Sequence, residues 1–359
     1  MTVRLRPVLA SLPAYVPGKT VPGAIKLASN ENSYPPLPHV IERISEAASG
    51  INRYPDTNSS MLMQALAGRY EVSVDQLVVG CGSVSLCQQL VLAAAGQGDE
   101  VLFGWRSFEA YPIITAIAGG TAVQVPLMDH VHNLTAMAAA ITDRTRLIFV
   151  CNPNNPTGTV VSGAVLMEFL DKVPGDVLVV VDEAYTEFIT DPTVTSGIRL
   201  LDRYPNLIVL RTFSKAYGLA GLRIGYGIAA DPAVAMAVRQ TQIPFAVTQL
   251  SEAAALASLE DQAEKQLAER VADLVDERAR VTAALRSYGY QVPDSQANFI
   301  WLSQGPAADG GIDAMEFAAG CERFGLIGRA FAGSGVRVTI SNAAENDRFL
   351  EAARQLRES

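Results

Sequence analysis

The chain has 359 residues, of which 49% are hydrophobic and 18% are charged. This composition is typical of a globular protein with about two domains and argues against an intrinsically disordered chain. The formal net charge of −9 makes nucleic acids and anionic membranes poor partners. The sequence has neither a signal core nor an uncharged apolar run of about 18 residues. Its four cysteines have no close paired spacing, so we expect a cytoplasmic protein with reduced thiols.

The N-terminal residues 1–35 are rich in Pro, Gly and Asn, which predicts an extended arm. From about residue 75 to 230, short apolar segments alternate with segments of helical spacing or length. This alternation predicts βαβ units and a largely parallel sheet. The expected strands are 77–80, 100–103, 121–126, 146–151, 177–181, 207–211 and 224–229. The intervening helices that we expect include 84–95, 108–118 and 162–172.

Beyond Asp231-Pro232 the pattern changes. An Ala-rich stretch with charges at three- and four-residue spacing predicts one long helix over 251–288. The elements expected after it are strands near 297–302 and 335–341 with a short strand between them, and helices near 312–324 and 344–357. We therefore expect three parts, which are an N-terminal arm (1–35), a large α/β domain with a mostly parallel seven-stranded sheet between helices (36–245), and a small α+β domain (246–359).

Two predicted strands deliver reactive side chains to the same edge of this sheet. The strand 207–211 leads into hydroxyl residues and Lys215, and the strand 177–181 leads into Asp182 and Tyr185. The carboxyl ends of parallel strands meet at one edge. A buried lysine can act as an amine catalyst. These groups suit pyridoxal 5'-phosphate (PLP), which needs a lysine for its aldehyde and a carboxylate for its ring nitrogen. The alternatives are that Lys215 is a surface lysine and Asp182 a helix N-cap.

The turn Asn-Pro-Asn-Asn-Pro-Thr-Gly at 152–158 follows another predicted strand. Such a cluster is a rigid turn by default. Its place between two sheet edges favours a function, in which Asn155 points its amide at the oxygen of the cofactor ring.

A glycine-containing turn, residues 80–84, follows strand 77–80 and opens a helix, where backbone amides would bind a phosphate. It resembles half of a dinucleotide-binding motif, but Ser85 replaces the third glycine. Asp99 and Glu100 precede the next strand, whereas a ribose-binding acid should follow it. We therefore reject a nucleotide site. Thr212, Ser214 and Arg223 are expected to complete the anion site, since arginine binds phosphate with two hydrogen bonds.

Taken together, these motifs resemble the fold-type I PLP-dependent aminotransferases, and most closely the group of histidinol-phosphate and aromatic (phenylalanine) amino acid aminotransferases. The resemblance covers nearly the whole chain. It implies a homodimer with active sites at the subunit interface, whose substrates are amino acids and 2-oxo acids. The segments that carry it are Asn30-Glu31-Asn32, residues 53–56, 152–158 and 182–185, Ser214-Lys215 and Gly221-Leu222-Arg223.

The resemblance implies a role for each matching residue. Lys215 would be the Schiff-base lysine, Asp182 the partner of the pyridinium nitrogen, and Asn155 and Tyr185 the ligands of the ring oxygen. The phosphate ligands implied are Gly82, Ser83, Val84, Thr212, Ser214 and Arg223, with Tyr54 reaching across from the other subunit. Phe108 would stack on the cofactor. The implied substrate residues are Tyr15, Asn32, Arg337 for the substrate carboxylate, and Arg329, which matches a second arginine near the phosphate of histidinol phosphate.

Three departures from the histidinol-phosphate pattern bear on the substrate. They are Gly82-Ser83-Val84-Ser85 in place of Gly-Ser-Asp-Glu, Arg106-Ser107-Phe108 in place of Pro-Thr-Tyr/Phe, and a shortened segment at 330–336. Loss of acidic character and added aromatic bulk favour an uncharged aromatic side chain. We therefore expect ping-pong transamination of phenylalanine or tyrosine with a 2-oxo acid such as 2-oxoglutarate, with histidinol phosphate as the alternative substrate.

Other functions fit the sequence less well. A decarboxylase or a Cα-lyase would not need the carboxylate-binding Arg337, and a PLP-sensing regulator would need a DNA-binding region. A metal hydrolase would have to use His39, His130 and His132. The two neighbouring histidines are better explained as part of a solvated loop, so we expect no metal site.

Overall fold

The structure, a computed structural model, describes residues 3, 6–10, 12 and 18–358. Tyr15, a predicted substrate-pocket residue, lies outside the described residues. The α-helices of the described part are, in chain order, α1 (Pro38–Ala47), α2 (Ser60–Tyr70), α3 (Ser83–Ala94), α4 (Ala110–Ala118), α5 (Leu134–Ala139), α6 (Gly163–Leu170), α7 (Pro232–Gln240), α8 (Gln249–Ser258), α9 (Asp261–Ser287), α10 (Ala314–Arg323) and α11 (Ala343–Glu358).

The strands of the described part are β1 (Ile25–Lys26), β2 (Leu77–Gly80), β3 (Glu100–Trp105), β4 (Thr121–Pro126), β5 (Thr145–Cys151), β6 (Leu178–Asp182), β7 (Leu207–Thr212), β8 (Gly225–Ala229), β9 (Phe299–Ser303), β10 (Leu326–Ile327), β11 (Arg329–Phe331) and β12 (Gly335–Thr339).

Seven of these strands form one sheet in the order β2-β8-β7-β6-β5-β3-β4. Only β8 runs antiparallel to its neighbours, and the other pairs are parallel. Alternate residues of each central strand pack on the two faces. Leu147 and Phe149 belong to a core with α3, α4 and α7, whereas Ile148 and Val150 belong to a core with α1, α2 and α6. Burial on both faces explains the continuous apolar runs. The predicted α/β fold with a mostly parallel seven-stranded sheet is confirmed.

The register of the sheet brings the predicted site residues to one edge. Cys151 at the end of β5 pairs with Asp182 at the end of β6, and Asp182 pairs with Leu210 of β7. The backbone amide of Asn152 donates to the carbonyl of Asp182 at 3.0 Å. The turns after β5, β6 and β7 therefore leave the sheet side by side.

The C-terminal part has a sheet of its own, in the antiparallel order β11-β12-β9. The N-terminal segment joins this part, because β1 pairs in parallel with β10. The chain continues along β12, where the Thr339 amide donates to the Leu27 carbonyl at 2.9 Å. Residues 28–31 are thereby brought over the carboxyl edge of the large sheet. The domain limits given above stay a prediction.

One predicted element is wrong. The single helix expected over 251–288 is two helices, α8 and α9, separated at Leu259 and Glu260. Glu260 is the extended N-cap of α9, with φ −69° and ψ 144°. Ala254 and Ala255 of α8 pack in the core of the large sheet, whereas Val281 and Leu285 of α9 pack in the core of the C-terminal part. The break lets the chain pass from one core to the other.

Candidate active site

A cavity of about 550 Å³ lies at the carboxyl edge of the large sheet, between that edge, the N-terminal segment and the C-terminal sheet. The turns after β5, β6 and β7 form its floor. The predicted site residues that line it are Ser83, Val84, Phe108, Asn155, Asp182, Tyr185, Thr212, Ser214, Lys215, Arg223, Arg329 and Arg337. Residues from Ser83 to Arg337, separated by more than two thirds of the chain, are thus gathered in one cavity.

Lys215 follows β7 and is partly buried at the cavity floor. Its Nζ donates to the Ser29 carbonyl at 3.3 Å and lies 5.8 Å from the centre of the Tyr185 ring. Burial, together with the cation of Arg337, lowers the pKa of Lys215 to about 7. The amine is therefore neutral in a large fraction of molecules near neutral pH, as a nucleophile for an aldehyde requires. The alternative of a solvated surface lysine is wrong.

Asp182 ends β6 and is buried. Its Oδ2 accepts a hydrogen bond from the Tyr111 hydroxyl at 2.8 Å, and its Oδ1 accepts one from the Ala184 amide at 3.3 Å. Burial raises the pKa of the Asp182 carboxyl, and the Tyr111 hydroxyl opposes that rise. Asp182 does not cap a helix. The next helical element is a 3-10 turn over Thr186–Phe188, and its N-cap residue is Tyr185. A buried carboxylate at a cavity floor suits a cationic N–H partner.

Tyr111 was not among the predicted residues. It lies in α4, a helix of almost wholly apolar residues, and its ring stacks on Phe149 with centroids 4.2 Å apart. A hydroxyl on the buried face of such a helix needs a partner. A tyrosine in such an apolar helix could therefore have been predicted to need a buried hydrogen-bond partner. The sequence does not indicate that this partner is Asp182.

Tyr185 and Asn155 lie on neighbouring turns and both are buried. The Tyr185 hydroxyl accepts a hydrogen bond from Nδ2 of Asn30 at 2.9 Å, and burial raises the pKa of Tyr185. Oδ1 of Asn155 accepts from Nη1 of Arg337 at 2.5 Å. Nη2 of Arg337 donates to the Ala28 carbonyl at 2.6 Å. The N-terminal segment therefore positions both the phenol and the guanidinium, and Asn30 is a second residue that the sequence did not assign.

The anion site expected at the start of α3 is built from backbone and hydroxyl groups. Gly82 caps α3 with φ 75°, a conformation that favours glycine. A Cβ at Gly82 would lie 2.5 Å from Nη2 of Arg223, so the guanidinium lies directly against this turn. Across the cavity, the Thr212 and Ser214 hydroxyls are 3.0 Å apart. Amides at a helix N-terminus, two hydroxyls and an arginine together can bind a phosphate.

Two further predicted residues do not line the cavity. Nδ2 of Asn32 donates to the Ala216 carbonyl at 2.9 Å, so Asn32 supports the turn that carries Lys215. Tyr54 is 82% exposed, and its ring stacks on Phe245 with centroids 4.5 Å apart. A substrate contact by Asn32 and a cofactor contact by Tyr54 stay predictions.

The three histidines have ordinary structural contacts. His132 is buried beside the Cys151 carbonyl at 3.0 Å, and burial lowers its pKa to about 4. His130 contacts the Ser303 hydroxyl at 3.1 Å, and His39 contacts the Ala257 carbonyl at 3.1 Å. Over the described ranges, no group of three or more His, Cys, Asp or Glu side chains could hold a metal ion.

The four cysteines are free thiols. In the part of the chain that the structure describes, the helices are too short or too polar to cross a membrane.

Comparison with known proteins places the chain in a family. The family model of class I and II aminotransferases matches residues 22–352. The aromatic amino acid aminotransferase of Streptomyces avermitilis is 55% identical over 99% of this chain and 98% of its own. That of Mycobacteroides abscessus is 54% identical over 99% and 100%.

Solved structures agree. The histidinol-phosphate aminotransferase of Sinorhizobium meliloti in complex with PLP has a TM-score of 0.88 and 29% identity, covering 100% of this chain and 98% of its own. An aspartate aminotransferase mutant of Thermus thermophilus has a TM-score of 0.84 at 22% identity, covering 99% and 100%, and shares the fold. The resemblance read from the motifs is confirmed. The chain belongs to the class I and II aminotransferase family and is a PLP-dependent aminotransferase.

Proposed function

We propose that this enzyme transfers the amino group of an aromatic amino acid, of the phenylalanine or tyrosine type, to a 2-oxo acid such as 2-oxoglutarate. The observation that carries the proposal is the apolar part of the cavity lining that α4 contributes. Ile113, Ile114 and Ile117 form this apolar wall and suit an uncharged ring. Relatives named as aromatic amino acid aminotransferases, at 54–55% identity over nearly the full length, support the same substrate class.

PLP, when bound, supplies an electron sink for the bond changes at the substrate Cα. The residues present fit it. Lys215 offers an amine whose pKa burial lowers to about 7, and Asp182 offers a buried carboxylate for the ring nitrogen. Tyr185 and Asn155 would bind the ring oxygen, and Phe108 would stack on the ring. The phosphate would be held by Gly82, Ser83, Val84, Thr212, Ser214 and Arg223.

The substrate would be held mainly by Arg337, whose guanidinium would bind the α-carboxylate with two hydrogen bonds. Its contacts with Asn155 and the Ala28 carbonyl fix its position before the substrate arrives. Lys215, once it has released the cofactor aldehyde, would move a proton at the substrate Cα. Retention of the carboxylate by Arg337 favours transamination over decarboxylation.

A homodimer is part of the proposal. Tyr54 is 82% exposed and stacks on Phe245, and Ile243, two residues before Phe245 in the sequence, is 75% exposed. Clustered exposed apolar residues are typical of an interface. Tyr54 would then reach the cofactor phosphate in the other subunit's site. A monomer measured by light scattering, with full activity at all concentrations, would contradict this part.

Histidinol phosphate is the second candidate substrate. The histidinol-phosphate aminotransferase of Sinorhizobium meliloti shares the fold at a TM-score of 0.88, and Arg329 lines the cavity together with Arg337. The deciding experiment compares kcat/KM for phenylalanine, tyrosine and histidinol phosphate, each with 2-oxoglutarate. We expect a preference for the aromatic amino acids, and a clear preference for histidinol phosphate would overturn the assignment.

The cofactor attachment has its own test. The PLP-loaded wild type should absorb visible light, and borohydride should fix the cofactor on the peptide that contains Lys215. Lys215→Ala should lose this attachment and transamination, while its fold, measured by far-ultraviolet circular dichroism, stays intact. A variant that keeps its activity would show that another group performs the amine chemistry.

A further inference from the structure

Two arginines lie side by side on neighbouring strands of the C-terminal sheet. Arg329 of β11 and Arg337 of β12 are directly opposite in an antiparallel pair, and both line the cavity. Residues opposite each other in such a pair have Cβ atoms about 4.5–5.5 Å apart and point to the same face. Both guanidinium groups lie near the Phe331 ring, 5.7 and 5.8 Å from its centre. Like charges at opposite positions repel each other, so this arrangement calls for a nearby anion.

Glu109 supplies that anion at Arg329. Its Oε2 lies 2.9 Å from Nη2 of Arg329, and the two side chains are 31% and 17% exposed. Glu109 immediately precedes α4, the helix whose Ile113 and Ile117 line the apolar wall. The carboxylate therefore belongs to the cavity as well as to the ion pair. Its negative charge offsets the positive charge of Arg329, the residue directly opposite Arg337 in the sheet.

We propose that Glu109 determines which substrate anion the site accepts, favouring a singly charged carboxylate over a doubly charged phosphate. This inference rests on the proposed function and names the residue responsible for its substrate class. A phosphate monoester carries about −1.5 to −2 charges near pH 7. Two arginines would match that charge, whereas Arg337 beside a neutralised Arg329 matches a carboxylate. Glu109 would also repel the second negative charge of the phosphate, because the cavity is partly desolvated.

The test uses two ligands that differ in their anion and carry no amine, so that they bind without reacting. They are 3-phenylpropionate and 2-phenylethyl phosphate, which share the ring and the two-carbon linker. Dissociation constants are measured by titration calorimetry on the PLP-loaded protein. We expect wild type to prefer the carboxylate. Glu109→Gln should shift the ratio of the two constants toward the phosphate by about tenfold, which corresponds to 1.4 kcal/mol. An unchanged ratio overturns the proposal.

Glu31→Gln is the matched control. Glu31 is another carboxylate of the cavity lining, but its partner is Lys26, at 2.9 Å. It should leave the ratio within about threefold of wild type. An equal shift in both variants would mean that the overall charge of the cavity sets the preference, and would refute a specific role of Glu109.

A second variant covers the case that Glu109→Gln does not fold. Arg329→Gln keeps the Glu109 carboxylate and removes the cation of its ion pair, so the ratio should move in the opposite direction, further toward the carboxylate. A purely structural ion pair would lower the affinity for both ligands equally in either variant. Turnover of phenylalanine by wild type is measured separately. Its absence would refute the proposed function, while the binding ratios alone decide the role of Glu109.

Discussion

Replacing Tyr111 with Phe removes the hydrogen bond to Asp182 and keeps the ring that stacks on Phe149. The bond is 2.8 Å long, and both of its groups are buried. A hydrogen bond to a charged group contributes about 1.5–3 kcal/mol and one between neutral groups about 0.5–1.5 kcal/mol. We therefore expect the free energy of unfolding of the apoprotein to fall by about 2 kcal/mol where Asp182 is ionised, and by about 1 kcal/mol where it is protonated.

The sign of the pH dependence follows from the burial of Asp182. Burial raises the pKa of its carboxyl, so its contribution to stability is greatest at low pH and is lost as the pH rises through the folded-state pKa. Loss of the Tyr111 hydroxyl raises this pKa further. A difference of about 1 kcal/mol between the two protonation states corresponds to slightly less than one pKa unit. The stability gap between wild type and variant should therefore widen with rising pH.

Urea unfolding of both apoproteins, at about pH 8 and at the lowest pH at which wild type stays folded, measures this gap. Tyr226→Phe is the control, because the Tyr226 hydroxyl is also buried but its partner, 2.7 Å away, is the Tyr70 hydroxyl and not a carboxyl group. The decrease in the free energy of unfolding caused by Tyr226→Phe should not depend on pH in this range. In the loaded enzyme, Tyr111→Phe should lower kcat/KM about fivefold, the factor given by about 1 kcal/mol. If Tyr111→Phe and Tyr226→Phe lowered the free energy of unfolding by the same amount at both pH values, the reasoning would be refuted.

Three further predictions concern the cavity. Burial lowers the pKa of Lys215 to about 7, so reaction of the apoprotein amine with an aldehyde should rise with pH and be half-maximal near that value. Glu31→Gln should move this midpoint to lower pH, because the Glu31 carboxylate raises the pKa of Lys215; a midpoint typical of exposed lysines would contradict burial. Gly82→Ala places a Cβ 2.5 Å from Nη2 of Arg223, at a φ of 75° that disfavours alanine. Equilibrium dialysis should therefore show an affinity for PLP at least about tenfold lower. An unchanged affinity would show that Gly82 is not part of the phosphate site. Arg337→Ala should raise KM for amino acids at least about tenfold without loss of visible absorption, and an unchanged KM would exclude its binding of the carboxylate.

The large sheet was predictable because each of its strands is a short apolar run bounded by turn residues. The same reasoning placed Asp182 and Lys215 at one edge, since the carboxyl ends of parallel strands converge. The break between α8 and α9 was missed because the Ala-rich pattern continues across it. Asp261 and Glu264, acidic residues in the first turn of α9, are the signal of a new helix start.

Contacts between side chains distant in sequence could not be predicted. Glu109 and Arg329 are 220 residues apart, and their pairing depends on how the C-terminal sheet sits over α4. The Asn30 amide meets the Tyr185 hydroxyl across 155 residues. Neither spacing nor periodicity specifies such a pair, because both describe local structure only.

The threading of the N-terminal segment along β12 has a consequence for the order of folding. The Asn30 amide bonds the Thr339 hydroxyl, and Arg337 bonds the Ala28 carbonyl, and both pairs are separated by 309 residues. The strands of the large sheet lie between residues 77 and 229, so they can assemble while later residues are still being synthesised on the ribosome. Residues 28–31 have no β12 to join until residues 335–339 have emerged. The entropic cost of closing the loop between residues 28–31 and β12 is offset only when these hydrogen bonds form. A nascent chain can therefore fold its large sheet before the groups that cover Lys215 and hold the substrate are in place, so the environment of the amine is completed only with the last strand.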